Sequence, residues 1–478
     1  MENGELKMDN RISNGMKFRY RTDKEMKDSG VEWIGKIPNE WLILKLRNLG
    51  NISTSSVDKK IEEKDKIVKL VNYVDIYNSK SKEIYNNSDY MKVSAKEKQI
   101  ETCDLIKGDV LFTPSSETIN DIGYSAVVME DLDNTLYSYH IVRLRFNRYI
   151  YLNFKKYMFW SNSFLNYLSS RATGTTRKTL SLNDFKENTV VIPLKEEQEK
   201  IAKFLDVKTY EFDSIISKKE ALIQKLEEAK KSLISEVVTG KVKVVKSADG
   251  YELVERKKEE MNECNESSIE FMPKDWIRKK LKYNCYLKGR IGWQGLKQSE
   301  FIDEGPYLIT GMNFKNGKIR WEEVYHISEE RYNEAPDIHL KAGDVLITKD
   351  GTIGKLLFID YLPGKASLNS HLLVMRPLNN DFLPKFLYYS LDSSYFKEYV
   401  ERVKTGTTFY GITQEAISNF NLLIPSINEQ ENIIAFLDHR LESLEKIISK
   451  IKREITLLKD AKQSLISEAV TGKIEILD

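Results

Sequence analysis

Toward the C-terminus the apolar positions fall at Leu444, Ile448, Ile451, Ile455, Leu458, Leu465 and Ala469, mostly in alternating steps of four and three. Lys462 fills the one polar slot in the series. Such spacing lays one apolar stripe along a helix and matches a coiled-coil seam over about four heptads. The same pattern stands 232 residues earlier, at Phe212, Ile216, Ile223, Leu226, Leu233 and Val237, with Lys219 and Lys230 in register. Gly240 and Gly472 follow the last turns, where a left-handed cap is common. The pattern predicts two helices starting near Glu196 and Asn428, each about 40 residues and roughly 60 Å long at ~1.5 Å per residue. A narrow seam shared by both copies favours pairing of the two helices over each lying on its own domain.

Outside the helices the pattern changes to short apolar runs broken by Gly, Asn and Pro, which predicts strands and turns. Lys107-Gly108-Asp109-Val110-Leu111-Phe112-Thr113 is a turn feeding an apolar strand, and Ala342-Gly343-Asp344-Val345-Leu346-Ile347-Thr348 is its counterpart. Helical pieces are expected near Tyr151–Ser170 and Leu383–Val403. Each globular part closes on an apolar strand stopped by proline, at Pro193 and Pro425. From those prolines to Val244 and Ile476 the two copies align without a gap, and Ser232-Leu233-Ile234-Ser235-Glu236 recurs as Ser464-Leu465-Ile466-Ser467-Glu468. Upstream the offset between copies wanders by a few residues, as loop insertions in one shared fold would produce. The expected fold class is therefore α/β (α+β), as two pseudo-repeats, each a mixed α/β domain followed by a long helix. The divisions are an N-terminal segment at 1–40, a first globular domain at 41–195, a helix at 196–240, a polar connector at 241–275, a second globular domain at 276–427 and a helix at 428–478.

At 478 residues, with 41% hydrophobic and 31% charged residues, the chain has the composition of a soluble, multi-domain globular protein. No apolar run is long enough to span a bilayer. Three scattered cysteines give neither a disulfide framework nor a metal knuckle, and a reducing compartment is the expectation. The formal net charge of +2 neither announces nor excludes nucleic acid.

Catalytic signatures are missing. The ten prolines include no Pro-Pro pair, so the Asp/Asn-Pro-Pro-aromatic motif of amino-methyltransferases is absent. None of the six Gly-Lys pairs is followed by Ser or Thr, which rules out a P-loop. Pro336-Asp337 has no Asp/Glu-x-Lys close behind it, and the five histidines have no metal spacing. The pattern fits a binder with no catalytic or metal site of its own.

Several polar loops suit binding. Gly174-Thr175-Thr176-Arg177-Lys178 offers hydroxyls and two cations to phosphate oxygens or a guanine edge. Its twin carries Thr407, Thr408 and Tyr410 in place of Thr175, Thr176 and Lys178. Lys349 and Thr352 lie in a turn directly after a strand. Arg290, Trp293 and Gln294 lie in a glycine-rich run. Each loop reads equally as an ordinary Gly-rich hairpin. His140 and His371 sit at equivalent positions before a strand, and read as base readers or as scaffold histidines.

The phrase Lys27-Asp28-Ser29-Gly30-Val31-Glu32-Trp33-Ile34-Gly35 with Ile37-Pro38 and Trp41 resembles the N-terminal signature of the specificity subunits of type I restriction-modification systems. So do Pro193, Glu197-Gln198 and Phe204-Leu205-Asp206, repeated as Pro425, Glu429-Gln430 and Phe436-Leu437-Asp438, and the closing Ser-Leu-Ile-Ser-Glu…Thr-Gly-Lys. The resemblance spans nearly the whole chain. It implies two target recognition domains, each reading half of a split duplex DNA target, and long helices that pair as an antiparallel coiled coil and set the interval. It further implies two partner modification subunits that carry S-adenosylmethionine and methylate adenine N6, joined in some systems by restriction subunits that use ATP and Mg. A cytoplasmic, nucleoid-associated place in a bacterial or archaeal cell follows from the same resemblance. Two rival readings stand beside it: a coiled-coil adaptor with two protein-binding domains, and a self-sufficient DNA-modifying enzyme. Divergence concentrated in the globular parts predicts an asymmetric target.

Overall fold

The computed structural model describes residues 17–477, apart from 249, 267, 291–295, 316 and 405–410. It divides into two compact units, residues 1–219 with 453–478, and residues 220–452. Each unit therefore takes one globular domain, the start of the helix that follows it, and the end of the helix from the other copy.

The helices run Lys195–Val238 and Ile427–Val470, each 44 residues. They pack together as the spacing predicts. Ile216, Ile448, Ile451, Ile455 and Leu465 are buried, and Phe212, Ile223, Leu226, Leu233, Leu444 and Leu458 are half-buried. The three lysines in the seam register each reach a carboxylate on the other helix. Lys462 meets Asp213, Lys219 meets Glu454 and Lys230 meets Glu445, all at 2.7 Å. Partners fall on one helix as they rise on the other, so the pair is antiparallel. A lysine stem lies along the seam while its ammonium stays at the edge, which is why the polar slots are tolerated.

In the first unit a five-stranded sheet has Gly50–Thr54 at one edge, then Val142–Phe146, Val110–Phe112, Ser125–Val128 and Glu83–Ile84, all antiparallel except the last pair. The second unit repeats four of these strands in the same order, as Cys285–Gly289, Leu372–Pro377, Val345–Thr348 and Leu356–Phe358. A second, smaller sheet in each unit is built on a parallel pair, Lys66–Val71 with Leu132–Tyr137 and Ile302–Ile309 with Ala366–Leu368. The expected helical pieces are Leu152–Met158 with Asn162–Arg171, and Pro384–Asp392 with Ser394–Val403.

The Gly-Asp pair before each central strand is architectural. Asp109 and Asp344 are buried, accept a turn N–H from Ile106 and Lys341, and take Arg145 and Arg376 at 2.7 Å. Gly108 and Gly343 sit at φ +89° and +90°, where a side chain would be strained.

The motif after each proline builds the joint between domain and helix. The Gln198 side chain accepts the Tyr151 N–H at 2.8 Å and donates to the Pro193 carbonyl at 3.0 Å; Gln430 does the same with Leu383 and Pro425. Asp206 accepts from Lys156 and Tyr157 at 2.7 Å, while Asp438 accepts from Lys385 at 2.7 Å and from Tyr389. The second lysine enters one helical turn before its tyrosine instead of next to it, from the same helix face. Glu197 takes the Trp41 indole N–H and Arg21, both at 2.5 Å; Glu429 takes Trp276 at 3.2 Å and Arg256.

The Ser-Leu-Ile-Ser-Glu phrase anchors each helix end to the globular domain of the other copy. Ser235 accepts the Ser394 N–H at 2.8 Å and Ser467 accepts that of Asn162 at 3.1 Å, each at the start of a helix. Ile234, Val237 and Val238 join the second unit's core; Leu465, Ile466, Ala469 and Val470 join the first's. A Cβ on Gly240 would stand 2.4 Å from Pro273, and one on Gly472 would stand 2.4 Å from Pro38 and 2.9 Å from Trp41.

The stretch 241–275 has more order than a plain connector. It forms two antiparallel hairpins, Val242–Ser247 with Gly250–Glu255 and Met261–Glu266 with Ile269–Pro273. In the first unit the equivalents of the first hairpin come from opposite ends of the chain, since Phe18–Tyr20 pairs with Ile474–Ile476. Both units are thus closed by the same ribbon, one with a covalent turn and one without.

Candidate nucleic-acid interface

The register of each main sheet gathers its loops at one end. In the first unit Thr54 pairs with Val142, and Val142 and Ser125 both pair with Phe112. The loops 55–62, 113–124 and 138–141 therefore leave from the same end. The loop carrying Gly174 to Lys178 folds onto them through Ser115–Thr179 and Ser116–Lys178 pairing and the Leu180 N–H to Pro114 carbonyl bond. The second unit repeats this geometry. Gly289 and Ile347 pair with Leu373, Ile347 also pairs with Leu356, Asp350 bridges Gly411, and the Ile412 N–H meets the Lys349 carbonyl.

Candidates that stood apart in the sequence are thus brought together. Thr175, Thr176 and Arg177 are exposed, and Arg177 lies over the Tyr73 ring at 5.9 Å. Lys178 turns back to the Gly174 carbonyl at 2.6 Å and stiffens its own loop. His140 is half-buried against Tyr139, ring centroids 3.8 Å apart. Burial holds its pKa below the ordinary value, with Arg177 and Lys59 adding to the effect and Asp58 opposing it. In the second unit His371 is exposed and its Nδ1 lies 2.6 Å from Asp350, while Lys349 is half-buried and Thr352 exposed on the adjacent turn.

Arg290 has a different place from the one expected. It is 3% exposed, with Nε on the Leu368 carbonyl at 3.0 Å and a terminal nitrogen on Ser367 at 3.1 Å. A guanidinium held this way braces the loop from inside and is not presented to a duplex. Trp293, Gln294, Thr407, Thr408 and Tyr410 lie outside the described residues.

Lys59, Tyr73 and Tyr139 join these clusters from outside the sequence candidates, and Asp350 lies inside the candidate turn of Lys349 and Thr352. Lys59 had a signal: its loop follows Gly50–Thr54 as the Arg290–Gly295 run follows Cys285–Gly289, so one copy's candidate loop pointed to the other's. Asp121 shows why a polar loop residue is not automatically a reader. Its carboxylate is taken up by Thr118 at 2.7 Å, Tyr77 at 3.0 Å and Tyr124 at 3.1 Å.

Among the described residues the first unit offers Arg177, Lys59, threonine hydroxyls and the rings of Tyr73, Tyr139 and His140, and the second offers Lys349, Thr352 and the His371–Asp350 pair. These groups can meet phosphates and base edges. Among the described residues no group of His, Cys, Asp and Glu could hold a metal ion, and no helix is long and apolar enough to cross a membrane.

Comparison with known proteins agrees with this duplicated architecture. Over 447 residues the chain is 25% identical to a putative type I restriction enzyme MjaX specificity subunit of Methanocaldococcus jannaschii, covering 93% of this chain and 96% of the relative. It is 27% identical over 325 residues to the MjaVIII specificity subunit of the same organism, covering 67% and 70%. A chain from a structure solved for complex assembly and conformational transition of the type I R-M system superposes with a TM-score of 0.66 at 18% identity, covering 91% of this chain and 99% of that one. The type I restriction modification DNA specificity domain matches twice, at residues 38–228 and 273–457. The chain belongs to the type I restriction-modification specificity family, with two recognition domains on a pair of long helices.

Proposed function

We propose that this chain is the DNA-reading subunit of a type I restriction-modification complex and performs no catalysis itself. Each recognition domain reads one half of a split duplex target with the loops at the end of its main sheet. The antiparallel helices fix the interval between the halves more firmly than a flexible linker would. They also offer equivalent faces to two adenine-N6 methyltransferase subunits, through which restriction subunits join where a system has them. On this reading S-adenosylmethionine belongs to the methyltransferases, ATP and Mg to the restriction subunits, and the assembly works in the cytoplasm on the nucleoid.

The observation that carries the proposal is the pair of equivalent loop clusters with different residues. Arg177 and His140 line one, and Lys349, Thr352 and the His371–Asp350 pair line the other. One scaffold with two chemistries is what two different half-sites require, and joining two readers raises avidity through effective concentration. The test is binding of duplex DNA by the chain with its methyltransferase partners across a salt series. A steep fall in affinity with salt is expected from counterion release. A flat response would favour an adaptor that binds only proteins.

A further inference from the structure

The two loop clusters answer their histidines differently. In the second unit His371 has a carboxylate partner, Asp350, at 2.6 Å. The register places Ser115 of the first unit where Asp350 stands. Among the described residues His140 has no hydrogen-bonded carboxylate. The charged groups bearing on it are Arg177 from the loop before Lys178–Thr179, and Lys59 and Asp58 from the loop after Gly50–Thr54. Asp58 is already engaged, accepting the Lys59 N–H at 2.7 Å and facing the Lys60 ammonium at 3.5 Å. Among the described residues neither Arg177 nor Lys59 forms an ion pair with a carboxylate. The sheet register brings the loops of His140, Lys59 and Arg177 to one end; Lys59 also bears on the half-buried Asp75 carboxylate, and exposed Tyr139 lies beside the imidazole.

We propose that His140, Arg177 and Lys59 form an anion site that receives a backbone phosphate of the first half-site, and that His140 takes up a proton when the phosphate arrives. This rests on the DNA-reading function and adds to it a sequence-independent, pH-linked anchor in one head only. In the free protein burial, then Arg177 and Lys59, keep His140 below the ordinary 6.5. A phosphate anion reverses the local Coulomb balance and raises the histidine. Protons are then bound in the complex and not in the free protein over the interval between the two pKa values. Affinity rises as pH falls through that interval, by at most about tenfold per pH unit for one proton.

The experiment is titration calorimetry of the full chain with its methyltransferase partners, against a duplex carrying the motif methylated in the host, in two buffers of different ionisation enthalpy. Net proton uptake is expected for the wild type and is lost in His140→Gln. Lys59→Gln, at an exposed position, moves the window of uptake to higher pH, because the histidine is then easier to protonate both free and bound. Arg177→Gln reduces the magnitude of the salt slope by about 0.9, one phosphate contact. Salt-dependent binding with no proton uptake, or uptake that survives His140→Gln, overturns the anchor and leaves the DNA-reading function standing. Absence of any salt-dependent duplex binding overturns both.

Discussion

Replacing Glu429 by Gln tests whether the repeated motif residues are structural joints. Glu429 and Arg256 have side chains 9% and 3% exposed, and Glu429 also holds the Trp276 indole. The neighbouring carboxylate, Asp275, is 3.9 Å from Arg256 and 65% exposed, so it replaces little of the lost charge. Glu429→Gln leaves a guanidinium buried without its counter-charge, which costs about 3–5 kcal/mol. In a unit of this size that lowers the midpoint of thermal unfolding by roughly 6–20 °C. The equivalent Glu197 and Arg21 are 27% and 11% exposed, so water screens them better. Glu197→Gln should cost only about 1.5–3 kcal/mol, the range of a hydrogen bond to a charged group. Arg256→Met with Glu429→Met should recover part of the loss, because a buried pair replaced by apolar groups is often near neutral while the buried Trp276 N–H loses its acceptor. The assay is denaturant and thermal unfolding followed by circular dichroism and tryptophan fluorescence. Equal costs for the two Glu→Gln variants, or a cost under about 1 kcal/mol for Glu429→Gln, would refute the reasoning.

Other outcomes follow from the same geometry. Lys155 donates to the Gly108 carbonyl at 2.9 Å, and burial lowers its pKa from 10.5 to about 8. The unfolded chain therefore binds more protons between these values, and stability rises with pH across the window by up to about 3 kcal/mol; Lys155→Met removes this increment in pH-dependent unfolding. Ile448→Ala empties a buried seam position and lowers stability by about 2–5 kcal/mol in denaturant unfolding. Arg290→Met destabilises the second unit in the same assay and leaves the salt slope of DNA binding unchanged, since its guanidinium is bound internally. Removing residues 474–478 exposes the partners of Ile474, which is 1% exposed, and unpairs Phe18–Tyr20; first-unit stability falls by about 2 kcal/mol or more in thermal unfolding.

Much of the fold was legible because its signals are periodic or repeated. The seam from Leu444 to Leu465 shows its helix directly, and comparing the copies exposes Asp109 with Asp344 and Pro193 with Pro425. The exchange of helix ends was not legible. Ser235 and Ser467 look alike in sequence, yet nothing local says that each caps a helix of the other copy's domain. The pairing of Phe18–Tyr20 with Ile474–Ile476 was hidden for the same reason, since its partners lie at opposite ends of the chain. In the loops, residue type alone misplaced Arg290: an arginine in a glycine-rich run looks available to DNA, but the carbonyl of Leu368 and the Ser367 hydroxyl claim it. The faithful repetition of Ile234 with Ile466 and of Gly240 with Gly472 also has a plain cause, since these residues are core contacts.

The central claim is that two different heads on one helix pair read two different half-sites. Sequencing of methylated adenines in cells that carry this chain with its methyltransferase tests it most directly. The account predicts a split, asymmetric motif that disappears when this chain is removed. A symmetric pair of half-sites, or an unchanged methylation pattern without the chain, would contradict it.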